Sequence, residues 1–287
     1  MKKIPIRRIG LNQHVPELSG TFVIRDIKSL LSEKDMNQDL HRHDYFYILV
    51  LEKGKGRHDI DFISYKVCDN CVFFLRPGQV HKLNLNAGSR GYLMQFNPEF
   101  YHPLDHESRQ LLRKASSKPH CQPEAKGFGR LLRLLADVFQ EFTDKKEGYQ
   151  EVIRAYLGIF FIELVRQKQN ISNSPGKVDL YDQERLDKFL ELLERNISTH
   201  KQVSEYAEMM HLSTYQLNAI TKAALGKTCS TLINEAVILE AKRCLLATSN
   251  QVNQVAFQLG YEDVSYFIRF FKKHSGFSPE SFRLKFK

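Results

Sequence analysis

No run of about 18 apolar residues occurs anywhere in the chain, so no membrane-spanning helix is read. The opening MKKIPIRRIG is charged, but no apolar stretch follows it, so no secretory signal is read either. Cysteine is scarce and odd in number. Five thiols at 68, 71, 121, 229 and 244 make no disulfide framework and suit a reduced, cytoplasmic protein. Nor is the chain short of apolar residues: at 42% hydrophobic over 287 residues it can build packed cores, which excludes a disordered chain, and two domains are the natural expectation.

Acidic residues are outnumbered, 33 against 42 basic, for a net charge of +9 that suits an anionic partner. The excess is not concentrated. Residues 180–287 hold 14 basic and 12 acidic residues, a net of +2, and residues 1–179 carry the remaining +7. Locally, residues 264–287 set six basic side chains against the lone Glu280. The case for a nucleic-acid partner therefore rests on pattern rather than on total charge.

That pattern lies between Ile238 and Arg283. Apolar residues at i, i+3, i+4 and i+7 (Val252, Val255, Ala256, Leu259) predict a short helix ended by Gly260. Asp263 predicts the cap of a next helix with Phe267, Phe270 and Phe271 apolar and Arg269, Lys272 and Lys273 basic. Helix, glycine turn and helix with an outward cationic face make a helix-turn-helix. The unit recurs. Ala207, Met210 and Leu212 match Ala256, Leu259 and Tyr261 at a spacing of 49. Leu217, Ile220, Lys222 and Gly226 match Phe267, Phe270, Lys272 and Gly276 at 50. Thr231–Ala247 reads as one helix between the copies, about 25 Å long at ~1.5 Å per residue. Such a rod could set two recognition helices near one DNA turn apart, ~34 Å.

Residues 184–287 resemble the DNA-binding domain of the AraC/XylS family of bacterial transcription regulators, most specifically in GYEDVSYFIRFFKKHSGFSPESFR, from Gly260 to Arg283. The first copy, LSTYQLNAITKAALGKT, departs more. Ala219 stands where the family often has Arg, which counts against base reading there, and Ala236 replaces an Arg that commonly precedes ILEAK. In the second recognition helix Val264, Ser265, Ile268 and Arg269 are expected to face DNA. Arg269 is suited to guanine O6/N7 or phosphate, and Lys272 and Lys273 to phosphates. In the first, Tyr215, Gln216, Asn218 and Ala219 are expected to face outward with Lys222 toward the backbone, and Asn218 or Gln216 to suit adenine.

Upstream, Thr21–Ile27 can be a strand, and Asp39–Phe100 reads as six or seven short strands. Among them are Tyr45–Leu51, an alternating Arg57–Tyr65, Cys71–Leu75, His81–Leu85 and Gly91–Phe96. A small barrel or jelly roll follows. HRHDYFYILVLEKGKG and FFLRPGQVHKLN resemble the two half-motifs of the cupin barrel, which AraC-type regulators often carry as an effector domain. Helices are expected around Leu111–Arg113, over Gly127–Phe142 and over Gln150–Lys168. The last is apolar over so wide an arc that it must be buried on two sides, one of which in the family commonly meets a second copy. The fold class is thus α+β. A cupin-like effector and dimerisation domain spans 1–170 and a linker 171–181. An all-α domain spans 182–287, with helix-turn-helix motifs near 203–224 and 252–274. Residues 1–20 are expected to form an irregular arm.

Two clusters invite a metal. Cupin metal sites use a His-x-His pair, a nearby Glu and a later His. Here His41, His43 and His81 are present, but Tyr47 stands where the Glu would be. An organic effector lined by His43, Tyr47 and His81 is the better reading. Cys68-Asp69-Asn70-Cys71 lacks a second CxxC, so it reads as two thiols flanking a turn; His120 or Cys121 would complete a zinc set only if folding brought them there. No metal and no cofactor are therefore expected. The resemblance implies a non-enzymatic transcription regulator, usually an activator. Its partners would be double-stranded promoter DNA, a small-molecule effector, RNA polymerase and a second copy of itself. The competing reading is a cupin metalloenzyme with an accessory DNA-binding domain.

Overall fold

The computed structural model describes residues 6–7, 21–103, 105–171, 180–248 and 250–286. It divides into two compact units, 4–174 and 175–287. Residues 172–179 of the expected linker and most of the N-terminal arm lie outside the described residues, while residue 171 and residues 180–181 belong to helices.

Among the described residues the first unit holds ten strands: β1 Ile6–Arg7, β2 Phe22–Asp26, β3 Met36–His43, β4 Phe46–Lys53, β5 Gly56–Ile60, β6 Ile63–Val67, β7 Cys71–Leu75, β8 Val80–Leu85, β9 Arg90–Phe96 and β10 His120–Cys121. They form two five-stranded sheets, ordered β1-β3-β8-β5-β6 and β10-β7-β4-β9-β2. Every pairing is antiparallel except β1 with β3. Helices α1 Ile27–Leu31, α2 His106–Ser116, α3 Ala125–Asp144 and α4 Tyr149–Ile171 complete the unit.

Strand β4 explains the layering. Its Tyr47, Leu49 and Leu51 enter the core between the sheets, with Phe73, Leu75, Leu83 and Leu93. The alternate Ile48 and Val50 enter a second core beneath the helices, with Phe74, Phe96, Leu131, Leu157 and Phe161. A strand covered on both faces reads as an unbroken apolar run instead of an alternating one. Each fully buried aliphatic or aromatic side chain contributes roughly 1.5–3 kcal/mol.

Two features differ from the sequence expectation. Arg57–Tyr65 is not one strand but the β5–β6 hairpin, turned by Asp61 (φ 46°) and Phe62 (φ 72°). Both residues are left-handed without being glycine, so no Gly marked the turn. Helix α1 was also unforeseen. Asp26 caps it, its carboxylate accepting from the Ser29 amide at 2.7 Å, directly at the end of β2.

Among the described residues the second unit holds seven helices: α5 Leu180–Asn196, α6 Val203–Met209, α7 Thr214–Leu225, α8 Cys229–Ala247, α9 Val252–Gln258, α10 Val264–Ser275 and α11 Pro279–Phe286. Helix α8 starts two residues earlier than expected, because Thr228 caps it by accepting from the Thr231 amide at 3.2 Å. Its 19 residues make a rod of about 28 Å. Apolar side chains around it, among them Ile233, Val237, Ala241, Leu245 and Leu246, are buried. Its neighbours are α5, α6, α7, α9, α10 and α11. Arg283 fixes α11 to the rod's end: Nε donates to the Leu245 carbonyl at 2.8 Å and Nη2 to the Asn250 carbonyl at 2.6 Å.

Candidate nucleic-acid interface and barrel core

The two helix-turn-helix units share their turn and entry-cap hydrogen bonds. The Leu212 amide donates to the Ala207 carbonyl and the Tyr261 amide to the Ala256 carbonyl, both at 2.9 Å. Between them, His211 (φ 52°) and Gly260 (φ 72°) occupy the same left-handed position. Glu205 and Gln254 reach back to the amides at the two entry caps, Gln202 and Gln251, at 2.7 and 2.8 Å. Ser213 and Asp263 cap the second helices, and Gly226 and Gly276 end them in left-handed geometry.

On α10, Phe267 and Phe271 are fully buried. Ser265, Ile268, Arg269, Lys272 and Lys273 are exposed and Val264 is half-buried. The Arg269 guanidinium stands 4.0 Å from the Asp263 carboxylate with its side chain 72% exposed, an ion pair too solvated to hold it back. Tyr266 is also exposed on this helix, which the apolar pattern did not signal.

On α7, Leu217 and Ile220 are buried, while Tyr215, Gln216, Ala219 and Lys222 are exposed, Tyr215 by 82%. Asn218 departs from the expected outward role. Its Nδ2 donates to the Thr214 carbonyl at 3.0 Å and its Oδ1 accepts from the Cys229 amide at 3.0 Å. The amide that was read as suited to adenine is engaged in joining α7 to the first turn of α8. Gln216 is partly engaged too, since its Oε1 accepts from the Ser213 amide at 2.9 Å.

Inside the barrel, His41 and His43 on β3, His81 on β8 and His58 on β5 are all buried. Adjacent strands and even register put them on one inward face. Three of them form a chain of imidazoles: His58 Nε2 lies 2.8 Å from His81 Nδ1, and His81 Nε2 lies 2.7 Å from His43 Nε2, while the His41 ring packs beside that of His81 with centres 4.2 Å apart. Tyr47 stacks on His43, the ring planes 6° apart. His58 was missed in the sequence because it belongs to neither half-motif. Burial, with His41 nearby, pushes its pKa down to about 3. Donor atoms of His41, His43 and His81 lie within 4.8 Å of one another. The cupin carboxylate is nevertheless absent, and both ring nitrogens of His81 are spent on neighbouring imidazoles, so the set fits a hydrogen-bonded core better than a cupin metal centre.

At the second cluster Cys68 and Cys71 flank the Asp69-Asn70 turn as expected, and folding supplies the third group that the sequence left open. His120, on β10 beside β7, does meet Cys68 and Cys71, with ligand atoms within 4.8 Å of one another. Cys121, the next residue, packs instead in the core beneath the helices.

The family model described as an AraC-like ligand binding domain matches residues 30–157, and that of a helix-turn-helix domain matches 206–285. The chain belongs to the AraC family. This AraC-family chain is a transcription regulator with a ligand-binding unit followed by a helix-turn-helix DNA-binding unit. It is similar to the HTH-type transcriptional activator RhaS of Yersinia pestis strain Pestoides F, 26% identical over 247 residues, 85% of this chain and 88% of the relative. RhaS of Yersinia pseudotuberculosis serotype I is 24% identical over the same shares. Among solved structures, wild-type ToxT of Vibrio cholerae, bound to an unsaturated fatty acid, is 18% identical with a TM-score of 0.43, covering 94% of this chain and 97% of its own. The C-terminal domain of the response regulator yesN from Fusobacterium nucleatum is 27% identical with a TM-score of 0.33, covering 35% of this chain and 98% of its own. Among the described residues no helix is long and apolar enough to cross a membrane.

Proposed function

We propose that this regulator activates transcription from promoters that it reads with both helix-turn-helix units. The observation that carries the reading is the repetition of one unit, down to single hydrogen bonds, on either side of one buried rod. In this reading Arg269 contacts a base, Val264, Ser265 and Ile268 line the groove, and Lys272 and Lys273 hold phosphates. Tyr215, Gln216, Ala219 and Lys222 form the weaker first contact. RNA polymerase is the downstream partner, in the cytoplasm, and the chain does no catalysis. The working domains are 1–170 and 182–287, joined by 171–181.

The effector is a small organic molecule bound beside His43, Tyr47 and His81. Four buried imidazoles support this: polar groups are costly in a core that aliphatic side chains could fill. An effector acts only through unequal affinity for two states of the protein. Dimerisation is through α4, whose Val152, Ile159 and Ile162 are exposed opposite its buried Ile153, Leu157 and Leu164.

Selection of bound sequences from a random DNA pool by the full-length protein tests the proposal. Enrichment of two segments about one helical turn apart is expected. A single segment would remove the first unit from base reading. No enrichment, with and without a metabolite mixture, would sink the reading.

A further inference from the structure

We propose that Cys68, Cys71 and His120 bind a divalent thiophilic cation, zinc in the first instance, as a site separate from the histidine core. Three observations carry it. The donor atoms already lie within 4.8 Å of one another. In tetrahedral coordination, with Zn–S near 2.3 Å and Zn–N near 2.0–2.1 Å, donors stand roughly 3.5–3.8 Å apart, so small side-chain rotations close the set. His120 Nε2 is shut from solvent and makes no hydrogen bond, which leaves its lone pair open to a metal in the Nδ1-protonated tautomer. Finally, the two segments are held together without any metal. The Phe74 amide donates to the Pro119 carbonyl at 2.9 Å, and Gln122 Nε2 donates to the Asp69 carbonyl at 3.1 Å, inside the Cys68–Cys71 turn. Phe73 and Tyr65 flank the imidazole, with ring centres at 4.8 and 5.5 Å.

The chemistry of the donors selects the ion. Two thiolates and a neutral imidazole around a divalent cation sum to zero charge, which a partly buried site tolerates. Sulfur and nitrogen donors suit zinc, whereas oxygen donors suit magnesium or calcium. On coordination each thiol loses its proton to solvent as its metal–sulfur bond forms, and the imidazole gives its lone pair without losing a proton, so two protons leave per ion. Three protein donors leave the fourth position to water or an external ligand. The ion would tie the β6–β7 turn to the segment between α2 and α3. Lys168 of α4 donates to the carbonyls of Ala115, in the last turn of α2, and Lys118, in that segment, at 2.6 and 3.0 Å. Occupancy would therefore stiffen the seam between the barrel and its helical layer.

The test is a cobalt(II) titration of the reduced full-length protein under nitrogen, followed by zinc competition. One equivalent is expected to give a sulfur-to-cobalt charge-transfer band in the near ultraviolet that zinc abolishes. Cys68→Ser, at a half-buried turn position, should weaken the band, and Cys68→Ser/Cys71→Ser should remove it. His120→Gln should weaken binding by more than the roughly 10–100-fold that loss of an outer-shell partner costs. His43→Gln should leave the band unchanged. Circular dichroism checks each variant, and if the double variant does not fold, the single Cys68 and His120 variants decide. Absence of the band overturns the proposal, as does a band that survives loss of the thiols. Isolation of the native protein with Cys68 and Cys71 paired as a disulfide, lighter by two hydrogens, also overturns it.

Discussion

Gly260 lies so close to the carbonyl oxygen of Ser198 that a β-carbon on it would fall well inside van der Waals contact. The obstacle is backbone, not a flexible side-chain end, and the glycine is also left-handed at φ 72°. Gly260→Ala should therefore destabilise the DNA-binding unit by roughly 2–4 kcal/mol, at least 1 of it from backbone conformation. His211 holds the equivalent left-handed place in the first copy. His211→Gly should change stability upward by less than about 1 kcal/mol. Urea unfolding of both variants checks the pair.

Asn218→Ala separates a packing role from a reading role. Losing the bond leaves the Cys229 amide, a first-turn donor of α8, without its partner while the Thr228 cap stays in place, which costs about 1 kcal/mol. The sequence preference in a DNA selection should not change. A change confined to one base pair would return Asn218 to the groove.

Arg269→Ala and Lys272→Ala should differ in kind. The arginine variant is expected to lose about 1–3 kcal/mol at the cognate site and to relax the preference at one position. The lysine variant should weaken every sequence alike and lower the salt slope by about one. Binding titrations over a salt series, on cognate and random DNA, distinguish them. Equal losses on random DNA would mean that Arg269 contacts phosphate.

His58 makes the barrel acid-sensitive. Its folded pKa near 3 lies below the ordinary 6.5, with burial the main cause, His41 and His120 adding to it and Asp59 opposing. Between these values the unfolded chain binds the proton more readily than the folded one. The contribution is complete above pH 6.5 and is lost as the pH falls toward 3, at up to about 1.4 kcal/mol per unit. Unfolding free energies across that window should fall more steeply for the wild type than for His58→Gln. Parallel slopes would remove His58 as the source.

The helix-turn-helix units were legible because their apolar spacing and their glycines are local signals. Val252, Val255, Ala256 and Leu259 mark a helix face, and Gly260 and Gly276 mark its turns. The β7 strand was legible for a similar reason, as a short apolar run bounded by turn residues. What escaped depends on tertiary context. Asp61 and Phe62 turn a hairpin with no glycine to announce it. Asn218 looks like any exposed amide until α8 is placed beside it. His58 joins its fellow imidazoles only through strand register. The meeting of His120 with Cys68 and Cys71 depends on β10 pairing with β7, which no periodicity encodes.

Helix α8 has a consequence for how the second unit melts. Two motifs with separate cores would open one at a time, each at its own free energy. Here the same rod supplies core side chains to both, so neither half keeps a hydrophobic interior once the rod is withdrawn. Amides of α6–α7 and of α9–α10 should then exchange with solvent through one shared opening rather than as independent foldons. The duplicated motif has given up its autonomy: damage to one recognition helix is felt as lost protection in the other.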